Sequence, residues 1–282
     1  MTKAIMFQGV SANAGKTVFT RSLVRLISNL GIKVAPFKPV SVGDKFETKN
    51  DLVLDFRIRI LLEAARSVPT IHNAPVQIIK QNNNTGRLFI EQEEKDAVEI
   101  YSKDIALLHK LPSETFDLIK SVILNSYQSL LAENDIVVIE GAGSPVDLGE
   151  RDIPNYYTAC ISNTPIILVG SVSSGGVFAS LHGTLLNFPK KLKKNLIGFA
   201  LNDVGFGREL AENQAKKLEE LTGVKFLGSF PHCSIYDEIP IGKSSSLNST
   251  EEEYEYLSKN FEESIDTELI FNLINLTKGV RV

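Results

Sequence analysis

Six apolar runs rich in β-branched residues, AIMFQG, KVAPFKP, DIVVIEGAG, TPIILVG, LIGFALND and VKFLGSFP, punctuate this 282-residue chain. Several are unbroken rather than alternating in polarity, which is what a strand covered on both faces requires. Between them lie helical patterns, KTVFTRSLVRLISNLG, SETFDLIKSVILNSYQSLLAEN, GVFASLHGTLLNF and RELAENQAKKLEELTG. The first and last of these end in glycine, a common helix stop. Strands alternating with helices predict an α/β fold, doubly wound around a mainly parallel sheet, with ligands at the carboxyl ends of the strands.

The rest of the chain is read around that frame. Residues 1–242 are expected to form one domain carrying an irregular insertion at about 68–112, where KQNNNTGRLFIEQEEKD reads as a polar loop, a short strand and an acidic run. Residues 243–282 read as a helical extension packed on the same domain, opened by KSSSLNSTEEE, in which a Ser/Thr cap precedes acids. A net charge of −4 gives no electrostatic footprint for nucleic acid or an anionic membrane. The start MTKAIMFQGV lacks the pattern of a secretory signal, and no run approaches the ~18 apolar residues of a membrane span, so a soluble cytoplasmic protein is expected. Cys160 and Cys233 have no ligand or disulfide spacing and read as free thiols, and His72, His109, His182 and His232 have no metal spacing and read as structural or surface residues.

The chemistry sits at the strand ends. GVSANAGKT, Gly9–Thr17, lies between a strand and a helix, so the backbone N–H groups of Ser11, Ala12, Asn13, Ala14, Gly15, Lys16 and Thr17 and the helix dipole can hold phosphate oxygens. Lys16 would reach the terminal phosphates and Thr17 would ligate Mg²⁺. Glu140 ends a buried strand before Gly141, Ala142 and Gly143; it is either a Mg²⁺ ligand beside small residues that let substrate approach or part of an ordinary glycine turn. Lys38, after the second strand, is either a solvated strand end or a cation stabilising charge on a transferring phosphoryl group. KNDLVLDFR offers Asp51 and Asp55 at i, i+4, on one helical face; each is either a cap or surface charge or completes the Mg²⁺ shell, with Asp51 favoured for the metal. Asn202 and Asp203 stand where an amide could read an adenine edge, or form an Asn/Asp turn. Ser173, Ser174, Gly175 and Gly176 open a helix without any charge, as a permissive turn or as a seat for a substrate carboxylate.

On these residues the chain, over roughly residues 1–240, resembles the P-loop superfamily that contains dethiobiotin synthetase and the synthetase domains of cobyric acid and cobyrinic acid diamide synthases. The resemblance implies a P-loop NTPase-like architecture. VAPFKP, LEAARSVP, NAPVQIIKQNNNTG, VVIEGAGSPVDLGERDIPN and PIILVGSVSSGGVFASLHGTL resemble cobyric acid synthases. Two departures stand out: the chain stops at Val282 without the glutaminase domain those enzymes generally carry, and Asp-Ile-Asp-Arg-Gly-Gly is replaced by Ser171-Val172-Ser173-Ser174-Gly175-Gly176. Dethiobiotin synthetase instead matches the five-residue spacing between Gly9 and Gly15, Lys38-Pro39-Val40, Asp51, Glu140–Gly143 and Asn202-Asp203, while its substrate-contacting serine falls on Val42, with Ser41 one place early.

That resemblance implies an ATP- and Mg²⁺-dependent ring-closing ligase joining CO₂ or bicarbonate to a diamino fatty acid, 7,8-diaminononanoate, to give dethiobiotin, ADP and phosphate. Thr17, Asp51 and Glu140 would hold the metal, Lys16 and Lys38 would offset charge, and Lys38, Ser41, Gly141–Gly143 and Ser173–Gly176 would meet the substrate. It also implies a homodimer. The alternatives are a cobyric-acid-synthase-like amide-forming synthetase fed by a separate glutaminase, and a nucleotide switch resembling the partitioning ATPases, whose additional loop lysine is absent from Val10–Ala14.

Overall fold

Along the chain the elements are β1 (Ala4–Gly9), α1 (Lys16–Asn29), β2 (Val34–Phe37), β3 (Val40–Gly43), β4 (Phe46–Lys49), β5 (Leu52–Asp55), α2 (Phe56–Ala65), β6 (Val76–Lys80), β7 (Thr85–Ile90), β8 (Glu93–Ser102) and β9 (Ile105–Ala106). They continue with α3 (Ser113–Glu133), β10 (Ile136–Glu140), α4 (Thr158–Ser162), β11 (Ile166–Ser171), α5 (Val177–Leu186), β12 (Leu196–Val204), α6 (Arg208–Thr222), β13 (Phe226–Pro231), α7 (Glu251–Ser264) and α8 (Thr267–Leu273). A π-helical turn, Ile153–Tyr157, precedes α4. The computed structural model describes residues 3–49, 51–102, 105–173, 175–233 and 250–276.

All six apolar runs enter one sheet, in the order β13-β12-β11-β1-β10-β2, and every pairing in it is parallel. β1 shows why an unbroken run is needed. Successive side chains of a strand point to opposite faces, so Ile5 and Phe7 pack among α1 and the C-terminal helices while Ala4 and Met6 pack on the α3 side. Both faces are closed, and all six residues of β1 are buried. β1 lies centrally, with strands of different connection on its two sides. Its carboxyl end is therefore a topological switch point, where open α/β sheets form their ligand crevices.

Within residues 68–112 the expected polar loop and short strand are present as 81–84 and β7, but the acidic run is itself a strand. These residues supply β6 to β9 of a second sheet, ordered β3-β6-β7-β8-β9, in which β3 and β6 are parallel and the rest antiparallel. The acidic stretch is β8: Val98 and Ile100 face the core while most of its charged side chains are exposed, the half-buried pattern of an antiparallel strand.

KNDLVLDFR is not helical across Asp51 and Asp55. Leu52–Asp55 pairs antiparallel with Phe46–Lys49, Asp51 takes φ +60° at the turn, and Asp55 caps α2 by accepting from the Arg57 N–H at 2.8 Å. An aspartate that satisfies a free N–H of the next helix favours the cap over the helix interior.

The C-terminal helices are part of the core. Phe261 of α7 is fully buried and its ring lies 5.5 Å from Phe19, 6.4 Å from Phe7 and 6.5 Å from Phe230. Arg21 of α1 pairs with Glu253 at 2.8 Å with both side chains buried, and Tyr254 bonds to Glu63 of α2 at 3.0 Å. Thr250 caps α7 as the sequence predicts, accepting from the Glu253 N–H, while residues 243–249 of the expected cap segment lie outside the described residues. Phe261→Ala is expected to destabilise the fold by about 3–5 kcal/mol in chemical denaturation, because a large aromatic leaves a cavity among three others.

Candidate active site

The loop between β1 and α1 ends in Gly15, which precedes the helix at φ +101° with no side-chain cap on the helix N-terminus. The first N–H groups of α1 are thus offered to a ligand rather than to the protein, the arrangement that binds phosphate. Ala14 is buried beneath the loop, whereas Ser11 and Asn13 are exposed and Ala12 is half-buried. Lys16 is buried and its ammonium donates to Ser11 O at 2.8 Å and Gly143 O at 3.2 Å. It is thereby folded back over the loop and tied to the turn after β10.

Two predicted residues, Thr17 and Lys38, converge on the Glu140 carboxylate. Thr17 Oγ1 donates to Glu140 Oε1 at 3.0 Å, and the Lys38 ammonium pairs with the same oxygen. Both Lys38 and Glu140 are buried, so Lys38 is no solvated strand end. Glu140 Oε2 is also buried and has no hydrogen-bond partner. A buried carboxylate oxygen left open between a threonine hydroxyl and a phosphate loop fits a hard divalent cation, which takes one or two carboxylates and fills its shell with phosphate and water. Among the described residues no group of three or more His, Cys, Asp or Glu could hold a metal; of the three predicted metal ligands, the structure brings Thr17 and Glu140 together.

Asp51 does not join them; it is exposed at the tip of the β4–β5 hairpin. Along an extended strand four residues span about 13 Å, so Asp51 and Asp55 cannot act as interchangeable members of one site. Asp55 is the buried acid. The Arg57 guanidinium at 2.8 Å and the Ser41 hydroxyl at 2.5 Å engage it; burial alone would raise its carboxyl, and these donors hold it below the usual carboxylate range. Ser41, expected at the substrate, therefore spends its hydroxyl on Asp55.

Asn202 is buried at the end of β12 against the phosphate loop: a Cβ added to Gly15 would lie 2.2 Å from Asn202 Nδ2. Asp203 takes φ +62° and pairs with His232 Nδ1. The uncharged turn begins at Ser171, whose hydroxyl lies 2.8 Å from that of Ser173. Ser171 is directly beside Asn202 in the sheet, and Gly175 and Gly176, both exposed with positive φ, lead into α5 without a side-chain cap. Ser174 lies outside the described residues.

Three residues at the site escaped the sequence reading. Asp147 lies near Lys16, which opposes the upward push of burial on its carboxyl. Asp152 and Asn155 are buried under Gly141 and Ala142. An Asp followed two residues on by Pro154 is a recognisable helix start, but nothing local says that this start lies beneath the Glu140 turn.

The sheet and this site define a P-loop nucleotide-binding α/β protein. Over residues 3–238 the chain matches, and belongs to, the AAA domain family AAA_26. It is 31% identical over 239 residues to the cobyric acid synthase of Limosilactobacillus reuteri, covering 83% of this chain and 45% of that one. It is 34% identical over 241 residues to that of Streptococcus sanguinis, covering 83% and 46%. The chain thus spans about half the length of these curated relatives. Among solved structures, the ATP complex of McdA from Cyanothece superposes with a TM-score of 0.55 at 16% identity, covering 99% of each chain; this is a likeness of fold alone. No helix among the described residues is long and apolar enough to cross a membrane.

Proposed function

We infer that the chain is an ATP- and Mg²⁺-dependent carbon–nitrogen ligase that activates a carboxyl-type oxygen by phosphorylation and passes its carbon to nitrogen. The observation that carries this reading is the open Glu140 Oε2 beside Thr17, with two buried lysines, Lys16 and Lys38, at the mouth of the phosphate loop. Mg²⁺ held by Thr17 and Glu140 would supply positive charge to the phosphate oxygens. The loop N–H groups orient those oxygens. Lys16, released from the carbonyls it now bonds, offsets their charge, and Lys38 leaves Glu140 to meet the charge that develops on the transferred group.

The finer reading is ring closure as in dethiobiotin synthetase, with a carbamate of 7,8-diaminononanoate formed from CO₂ as the activated oxygen and the neighbouring amine as the nucleophile. The neutral turn at Ser171, Ser173, Gly175 and Gly176 supports it, because exposed backbone before an uncapped helix suits the carboxylate of a small aliphatic acid. Asn202 against Gly15 is suited to the adenine edge. A homodimer and a cytoplasmic location go with this reading. A second reading, amide formation on a corrin carboxylate with ammonia, is supported by the similarity to cobyric acid synthases.

Substrate trials separate the two. Protein given the diamine, bicarbonate and MgATP is expected to release phosphate together with dethiobiotin. Phosphate release that needs ammonia and a corrin acid would transfer the assignment to the second reading, and turnover with neither would remove both.

A further inference from the structure

Glu140 is followed by a turn whose shape sets two contacts at once: Glu140 leads into it, and Gly143 O accepts from Lys16 at 3.2 Å. Most of this turn's backbone bonds are not made within itself. Ala142 O accepts from Asn155 Nδ2 at 2.5 Å. The same nitrogen donates to Asp152 Oδ2 at 2.9 Å, and Asp152 Oδ1 accepts from the Asn155 N–H at 2.7 Å. Asn155 O in turn accepts from Gln8 Nε2 of β1 at 3.3 Å. Both oxygens that face Asn155 Nδ2 are acceptors, so the orientation of this amide is fixed by its partners. Gly141 closes the arrangement: a Cβ there would lie 2.0 Å from Asn155 Oδ1.

Three features set the group apart from an ordinary helix start. Asp152 and Asn155 are buried, 2% and 0% exposed, beside a site that must bind anions. No Lys, Arg or His among the described residues forms an ion pair with Asp152, so a carboxylate is carried into the core without a counter-ion, an arrangement that costs stability. The turn they start is π-helical, an uncommon conformation associated with functional sites.

We propose that Asp152 and Asn155 are positioning residues of the nucleotide site, Asp152 orienting the Asn155 amide and that amide holding the Ala142 carbonyl, so that Glu140 stands in register with the phosphate loop. The proposal rests on the reading of this loop as a MgATP site. The relay needs Asp152 as an acceptor on both oxygens. Burial pushes its carboxyl up to about 7, against the hydrogen bonds from Asn155 and the Tyr156 N–H; Asp147 pushes in the same direction as burial. Arg151, the preceding residue, lines the same crevice, and Lys16 faces Asp147 from α1.

The sign of the pH effect distinguishes positioning from support of the fold. The unfolded carboxyl titrates near about 3.9, so below about pH 7 the folded chain binds a proton that the unfolded chain has released. Through this group stability rises as pH falls, and it is lost as pH rises through the folded value. The relay behaves in the opposite way, because a protonated Asp152 turns one acceptor into a donor facing an N–H.

The test is MgATP affinity by calorimetry between about pH 8 and pH 6, with thermal unfolding alongside, for wild type, Asp152→Asn and Asn155→Ala. Asp152→Asn keeps the volume, removes the buried charge and leaves one amide oxygen to face two donors, Asn155 Nδ2 and the Asn155 backbone N–H. Asn155→Ala removes the relay but leaves Asp152 its backbone N–H bonds. Both variants are expected to bind MgATP roughly tenfold to a hundredfold more weakly at pH 8, the usual scale for loss of an outer partner of a metal or ligand group. Asp152→Asn should keep its melting temperature, and its binding should lose the wild-type decline toward low pH that exceeds the titration of ATP itself, which all three proteins share. Wild-type affinity in either variant, or an affinity loss that only follows a fall in melting temperature, overturns the proposal. Wild type that binds no MgATP overturns the reading beneath it and the proposal together.

Discussion

Glu140→Gln is expected to cost both stability and turnover, and Lys38→Met in the same chain is expected to restore only the first. Lys38 and Glu140 form a pair with both side chains buried. Neutralising the carboxylate leaves an ammonium in the core opposite an amide, and breaking a buried pair from one side costs about 3–5 kcal/mol. Replacing both members removes the uncompensated charge, and such replacements are often neutral or stabilising. The metal function has no such repair, since Glu140 Oε2 is the open buried oxygen next to Thr17. Urea denaturation should therefore rank wild type and the double variant together above the single one, while Mn²⁺ binding and Mg²⁺-dependent phosphate release are absent from both variants. Mn²⁺ binding retained by the double variant would place the metal elsewhere.

Gly15→Ala should remove nucleotide binding with a smaller loss of stability. Its φ of +101° lies where an L side chain is strained, at a cost on the order of 1–3 kcal/mol. A Cβ would also meet Asn202 Nδ2 at 2.2 Å and Cγ at 2.4 Å. The chain can relieve this by moving the loop, which misdirects the N–H groups, or by displacing Asn202. Either change falls on the ligand. Calorimetry with MgATP should show no binding while far-ultraviolet circular dichroism is unchanged; wild-type affinity would show that neither the loop conformation nor Asn202 matters to the nucleotide.

The central sheet could be read from the sequence because each of its strands is buried on both faces, so that burial writes an unbroken apolar run into a short window. Lys38 and Glu140 were legible for a related reason, each standing at or just beyond a strand end where a polar residue after an apolar run marks the sheet's rim, while Lys16 and Thr17 were legible from the glycine-spaced loop that opens α1. The second sheet left a mark only in the short strand RLFI of β7. β3, Val40–Gly43, follows β2 after only Lys38 and Pro39 and reads as its continuation, and β8 carries more charge than apolar surface. Asp51 and Asp55 were misplaced because a four-residue spacing suits a helix face, while the pairing of Leu52–Asp55 with Phe46–Lys49 is a contact between strands that spacing does not encode. Asp152 and Asn155 show the limit most plainly. Their local role as a helix start can be read from Asp and Pro154, but their contact with Ala142 and Gly141 exists only after the chain has folded.

The pairing of α1 with α7 gives the chain a timetable. Arg25 meets Glu251 across 226 residues of sequence, and Phe19 meets Phe261. The helix that begins at the phosphate loop therefore has one side bare until α7, 226 residues beyond Arg25 at Glu251, has been made. Contacts this distant are slow to form. During synthesis the apolar flank of α1 is the surface a chaperone would meet, and α7 is the helix that closes it.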